Sequence, residues 1–222
     1  PEPRGTPQSV AALTPADLVK WHARRFTKPN LLIVVVGNVA HDDLVKKIGQ
    51  SFGGLPASGG AVASVPALPP MKPSVTIMNR NLPTNYIQGT FAAPPSRSRD
   101  AAAVRLAVRL LSDRLFEEVR TKRNLTYAVY SFFRGGTVGR GAMYVTAVQP
   151  DSTLKVMLAE VRRLQREPVS AERLQETRND YVTAYWMGQE TNLGQAAQLG
   201  TFKLTGGGWR NALVLVDRVR AV

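Results

Sequence analysis

Residues 53–73, GGLPASGGAVASVPALPPMKP, hold five of the chain's 15 prolines and four of its 18 glycines. Proline removes a backbone donor and fixes φ, and glycine loses the most freedom on ordering, so neither helix nor strand propagates through such a stretch. The chain must therefore fold as two pieces, residues 1–55 and 74–222, joined by a linker over 56–73.

The first piece reads helix–strand–helix. Thr14-Pro15-Ala16-Asp17 has the form of a capping box, with threonine as N-cap, proline at the first helical position and a carboxylate three residues on. The helix passes Leu18 and Trp21 to Arg25–Phe26 and stops at Lys28-Pro29-Asn30. Leu31 to Val36, LLIVVV, is the unbroken apolar run expected of a strand buried on both faces. Such a strand needs neighbours, so the run is expected to pair with another chain, or the fragment to self-associate. A second helix places Leu44, Ile48 and Phe52 on one side.

The second piece opens with strand-like segments at Val75–Met78 and Asn85–Phe91. A long helix follows from Asp100 to about Arg120, its inner face carrying Val104, Val108, Leu111 and Leu115. Strands at Thr126–Phe133 and Gly141–Val148 flank the hairpin loop RGGTVGR. The remainder is helical: Ser152–Arg166, Ala171–Met187, a helix around Gln195–Leu204, and Trp209 onward. The fold class is α+β, a mostly antiparallel sheet with helices packed on one face.

Composition narrows the chemistry. Cysteine is absent, which excludes disulfides, thiolate metal sites and cysteine nucleophiles. No apolar run reaches the roughly 20 residues that cross a bilayer. The opening PEPRGTPQSV has no signal-peptide pattern and no initiator methionine, as expected of a piece of a longer protein. The net charge is +13, but the arginines at 105, 109, 114, 162, 163, 166, 173 and 178 fall at helix-like spacing rather than in a block. Solvated helix faces explain that pattern, and weak, salt-sensitive DNA binding without sequence preference is the expectation. The strands lack the aromatic–glycine run of an RNA-recognition sheet.

Metal and phosphate motifs fare no better. His22 and His41 lie in separate elements without ligand spacing, so no metal site is expected in this chain. His41 beside Asp42 and Asp43 fits charge compensation at a helix start. Gly37 stands alone where a dinucleotide fingerprint needs three glycines. Gly206–Gly208 reads as a helix end and turn. There is no G-x-S-x-G elbow, and Glu117 and Glu118, adjacent on a helix, point in different directions.

Longer stretches say more. LTPADLVKWHARRFTKPNLLIVVVGNV, the subsequent FGGLP, then LPTNYIQGTFAAPPSRSRDAAAVRLAVRLLSDRLFEEVRTKRNLTYAV, and the terminal GGGWRNALVLVDRVRAV together resemble the pitrilysin/insulinase family of zinc peptidases. That family includes mitochondrial processing peptidase and insulin-degrading enzyme. The resemblance covers nearly the whole chain and implies the mitochondrial processing peptidase/LuxS-like metallohydrolase fold. It makes residues 1–55 the closing helix–strand–helix of a first peptidase domain. Residues 74–222 become a second domain that ends before the family's last helix and strand.

The family's zinc site, H-x-x-E-H with a downstream glutamate, has no counterpart here. The resemblance therefore implies a carboxyl-terminal, zinc-free half, or a partner subunit, that closes over unfolded peptides and positions them for a zinc centre held elsewhere. Its partners would be the peptide substrate and the zinc-bearing half or H-x-x-E-H subunit. Its compartment would be the bacterial cytoplasm or periplasm, with the periplasm favoured. The rival is a non-proteolytic homologue acting as an assembly subunit.

The resemblance also singles out two residues. Catalytic family members carry an arginine and a tyrosine, seven residues apart in the second domain, that reach across the chamber to substrate. Arg120 and Tyr127 match in type, spacing and context. Arginine donates several hydrogen bonds to a peptide carbonyl from a fixed fork. A tyrosine hydroxyl can donate to the oxyanion that develops at the scissile bond, which would make Tyr127 a transition-state stabiliser. Lys122 and Arg123 are expected to be solvated turn residues.

Overall fold

Two threonines start the first two helices. The hydroxyls of Thr6 and Thr14 cap α1 (Pro7–Ala11) and α2 (Pro15–Arg25), each accepting from a backbone N–H three residues on. Asp17 returns the bond at Thr14, accepting from its N–H at 2.9 Å, which completes the expected capping box. The Thr14 hydroxyl also donates to Asp17 and holds its carboxyl below the usual range. The computed structural model describes residues 4–59 and 72–222, so most of the expected linker at 56–73 lies outside the described residues. The chain divides into two compact units, Pro1–Val65 and Pro66–Val222.

In the first unit α3 (His41–Phe52) forms as expected, with Leu44 and Ile48 half-buried. The run Leu31–Val36 has the side chains of a strand but no partner strand within the described part of its unit. It joins no strand ladder among the described residues, and Leu31, Leu32, Ile33 and Val35 are exposed. The physical reason is that a strand is defined by its neighbours: the side chains favour a β conformation, but the described part of this unit offers no other strand. Val75–Met78, expected as a strand of the second unit, joins no ladder either: Val75 and Ile77 are largely exposed, and the three strands of that unit pair only among themselves.

The second unit is built on three antiparallel strands, β1 (Asn85–Ala93), β2 (Val129–Arg134) and β3 (Gly139–Ala147), in the order β1-β3-β2. Register sets one face: Ile87 lies opposite Val145, and Val145 opposite Val129. Against that face packs α4 (Ala101–Leu115), whose Leu111 and Leu115 join Val129, Met143, Val145 and, from α5 (Pro150–Arg166), Met157. The other side of α4 is also covered. Ala102 and Leu106 form a second cluster with Phe202 of α7 (Asn192–Thr205), Ala212 of α8 (Arg210–Leu213) and Leu215 and Val219 of α9 (Leu215–Arg220). Leu174, Tyr181 and Tyr185 of α6 (Ala171–Gly188) pack onto it.

α4 is thus the spine of the unit, buried on two sides. That explains why its inner face is wider than a single stripe: Val104 is only half-buried, while Leu106 and Leu110 are fully buried. The opposite face of the sheet carries Tyr130 and Tyr144, whose ring centroids are 5.1 Å apart, and Tyr130 and Tyr86 are exposed there. The architecture is α+β with helices on one face of the sheet. Gly206–Gly208 ends α7, with φ of +79° at Gly207 and +120° at Gly208, values that suit glycine, and with the Gly206 and Gly208 N–H groups both donating to the Phe202 carbonyl.

Candidate functional site

The spine helix does not stop at Leu115. The next six residues, Phe116–Thr121, continue it as a π-helical turn, in which the Lys122 N–H donates to the Glu117 carbonyl at 2.9 Å. Such wide turns are uncommon and frequently occur at functional sites. Val119 holds the turn from behind, fully buried in the sheet-side core. The chain then reverses through Asn124 at φ +49°, a left-handed conformation that asparagine adopts more readily than most residues. Asn124 and Leu125 close the reversal by donating to the Arg120 and Val119 carbonyls at 3.0 and 2.9 Å.

Thr126 ties the end of this reversal to the sheet. Its hydroxyl accepts from the Ala128 N–H at 3.1 Å and donates to the Thr146 carbonyl on β3. The Thr146 N–H in turn donates to the Ala128 carbonyl at 3.1 Å. Tyr127 therefore stands between two anchored residues, and its own side chain is 81% exposed. Strand β2 begins only at Val129, three residues later than expected, because Thr126–Ala128 spend their polar groups on this anchor.

The two candidate residues meet here. The Arg120 guanidinium lies 4.8 Å from the centre of the Tyr127 ring and 4.9 Å from that of Phe116. Its neighbours in sequence are committed elsewhere. Lys122 and Arg123 each reach a Glu118 carboxylate oxygen at 2.6 Å, and Arg123 also donates to the Glu118 carbonyl at 2.8 Å. They are solvent-exposed turn residues, as expected from sequence, and they are ion-paired as well. The Glu118 carboxyl is held below its usual range, first by the hydrogen bond from Lys122 and then by that from Arg123. Of the three cations in this cluster, only Arg120 has no carboxylate partner among the described residues, and its N–H groups have no hydrogen-bond acceptor there. A ligand oxygen would meet a charged fork already oriented and a phenol beside it.

Thr126→Val tests the anchor. The substitution keeps shape but leaves the Ala128 N–H without its acceptor, and should cost about 1–3 kcal/mol of stability in urea unfolding. An unchanged midpoint would show that the hydroxyl does not hold the turn.

The histidines do not assemble a metal centre. His22 stacks on Phe26 at 4.2 Å, and His41 Nδ1 lies 3.1 Å from an Asp42 oxygen. No group of three or more His, Asp or Glu side chains suited to a metal ion is present among the described residues. The residues here do not fit a zinc site.

Two members of the site escaped the sequence. Phe116, four residues before Arg120, sits on a polar stretch of helix, where a lone aromatic looks incidental. Thr126 acts through a strand 20 residues away, a distance no local pattern encodes.

Comparison with known proteins bears on this geometry. A family model described as the peptidase M16 inactive domain matches residues 12–181. A protein of Mycobacterium leprae named as an uncharacterized zinc protease is 34% identical over 139 residues, which are 57% of this chain and 30% of that protein. The crystal structure of a peptidase M16 inactive domain from Pseudomonas fluorescens superposes with a TM-score of 0.78 at 23% identity, over 98% of this chain and 53% of that one. The periplasmic protease PqqL from Escherichia coli superposes with a TM-score of 0.77 at 18% identity, over 97% of this chain and 25% of that one. The chain thus spans under a third of the length of the M. leprae relative.

Proposed function

Since this chain belongs to the peptidase M16 inactive-domain family, we propose that it serves a zinc peptidase as its non-catalytic half or partner subunit, closing over unfolded peptides and positioning them for cleavage. The zinc centre belongs to the other half or subunit. Arg120 grips a backbone carbonyl of the peptide, and Tyr127 donates its hydroxyl to the negative charge that builds on the scissile carbonyl oxygen. One observation carries this reading: in a cluster where Lys122 and Arg123 are both ion-paired with Glu118, Arg120 is left with unspent donors beside an exposed tyrosine. A structural arginine at a helix end would be expected to spend them.

The unpaired run Leu31–Val36 is where strands of the zinc-bearing half, or of a second copy, would add. The bacterial periplasm is the favoured compartment, as for PqqL, which is described as a periplasmic protease. No helix among the described residues is long and apolar enough to cross a membrane.

Peptide binding tests the reading. A fluorescein-labelled unfolded peptide should raise its anisotropy on titration with this chain. Arg120→Ala should weaken that binding by roughly tenfold to a hundredfold, the usual worth of hydrogen bonds to a charged group. Equal affinity of the wild-type and Arg120→Ala chains would overturn the assignment and favour an assembly role.

A further inference from the structure

We propose that Phe116 is a positioning residue of this site, its ring holding the Arg120 guanidinium where the N–H groups meet a substrate carbonyl. The inference rests on the peptide-positioning reading above. Three observations support it. First, Phe116 is half-exposed and belongs to neither hydrophobic core cluster, so burial does not account for it. Second, its ring faces the guanidinium at 4.9 Å, within the range where a cation is attracted to an aromatic face. Third, Phe116 is the first residue of the π-helical turn and Arg120 the fifth, so the turn itself sets their relation.

The physical benefit is preorganisation. Arginine has a long stem that loses rotamer freedom when a ligand fixes it. A side chain already restrained by two rings loses less on binding, and the difference appears as affinity. Tyr127 supplies one ring and is also placed to donate to the ligand. Phe116 has no polar group, so its contribution runs through Arg120 alone. That separates the two residues experimentally: Phe116 should alter binding, and Tyr127 should alter turnover.

The test uses the peptidase with its zinc-bearing half or subunit present. Peptide affinity is read by anisotropy with the metal chelated, and KM and kcat are read on a quenched fluorescent peptide. Phe116→Leu keeps apolar bulk and helix preference but removes the aromatic face. It should raise Kd and KM by roughly two- to fivefold, with kcat and the thermal midpoint unchanged. Phe116→Tyr, which keeps the face, should bind as wild type. In an Arg120→Ala background, Phe116→Leu should have no further effect, because its partner is gone.

Three results would overturn the inference. One is wild-type affinity of Phe116→Leu while Arg120→Ala binds weakly. Another is failure of Phe116→Tyr to match wild type. The third is an equal loss from Phe116→Leu with Arg120 absent. Wild-type affinity of Arg120→Ala itself would instead remove the peptide-positioning reading, and this inference with it.

Discussion

Tyr127→Phe should lower kcat for peptide cleavage by roughly 10²-fold or more, the usual cost of removing one donor to a developing oxyanion. The substitution deletes a single hydroxyl and keeps the ring that faces Arg120 at 4.8 Å. Peptide affinity should therefore hardly change, and the loss should fall on kcat rather than KM, marking an interaction made in the transition state. Stability should not change either. Tyr127 is 81% exposed, and its hydroxyl has no hydrogen-bond partner among the described residues. The assay needs the zinc-bearing half or subunit present, with thermal unfolding followed alongside. Unchanged cleavage would show that the hydroxyl takes no part in turnover, and a large fall in the unfolding midpoint would make it a structural contact instead.

Leu115→Ala should have the opposite signature. Leu115 is fully buried, in the cluster that joins α4 to β2, β3 and α5. Deleting a buried leucine side chain costs about 2–5 kcal/mol, from lost transfer free energy plus the cavity left behind. Native domains have only about 5–15 kcal/mol to lose, so the urea midpoint should fall sharply. Leu115 is also the last α-helical residue before the π-helical turn. Even so, the folded fraction should keep its kcat at low temperature, because no atom of Leu115 reaches the ligand side of the turn. A variant as stable as wild type would mean that the spine helix is not where this unit's stability resides. A stable variant with lost turnover would mean that the core and the site cannot be separated.

Reading the sequence recovered what is local or strongly periodic. The Thr14–Asp17 box announces α2 through contacts three residues apart, and those contacts form. The apolar positions of the spine helix predict its burial, because a helix repeats its faces within a few residues. Spacing alone did not single out Arg120 and Tyr127; the resemblance to the family did, and the structure places the guanidinium 4.8 Å from the ring centre. What failed was non-local. Val75–Met78 has strand-forming side chains, but a strand exists only where another strand pairs with it. The π-helical turn at Phe116–Thr121 left no trace in propensity, since its residues also suit an α-helix. Thr126 gains its role from Thr146, across the sheet. The contact of Lys122 with Glu118 could have been suspected from its four-residue spacing, but that of Arg123, five residues on, depends on the turn. Both contacts matter because they distinguish the committed cations from Arg120.

The most direct measurement of the central claim is peptide cleavage by the zinc-bearing half or subunit, produced separately, before and after this chain is added. On this account neither component cleaves efficiently by itself, and mixing them restores cleavage. The Arg120→Ala, Tyr127→Phe double variant of this chain should assemble with the other component and fail to restore it. Full cleavage by the zinc-bearing component alone would contradict the account, as would equal restoration by the double variant.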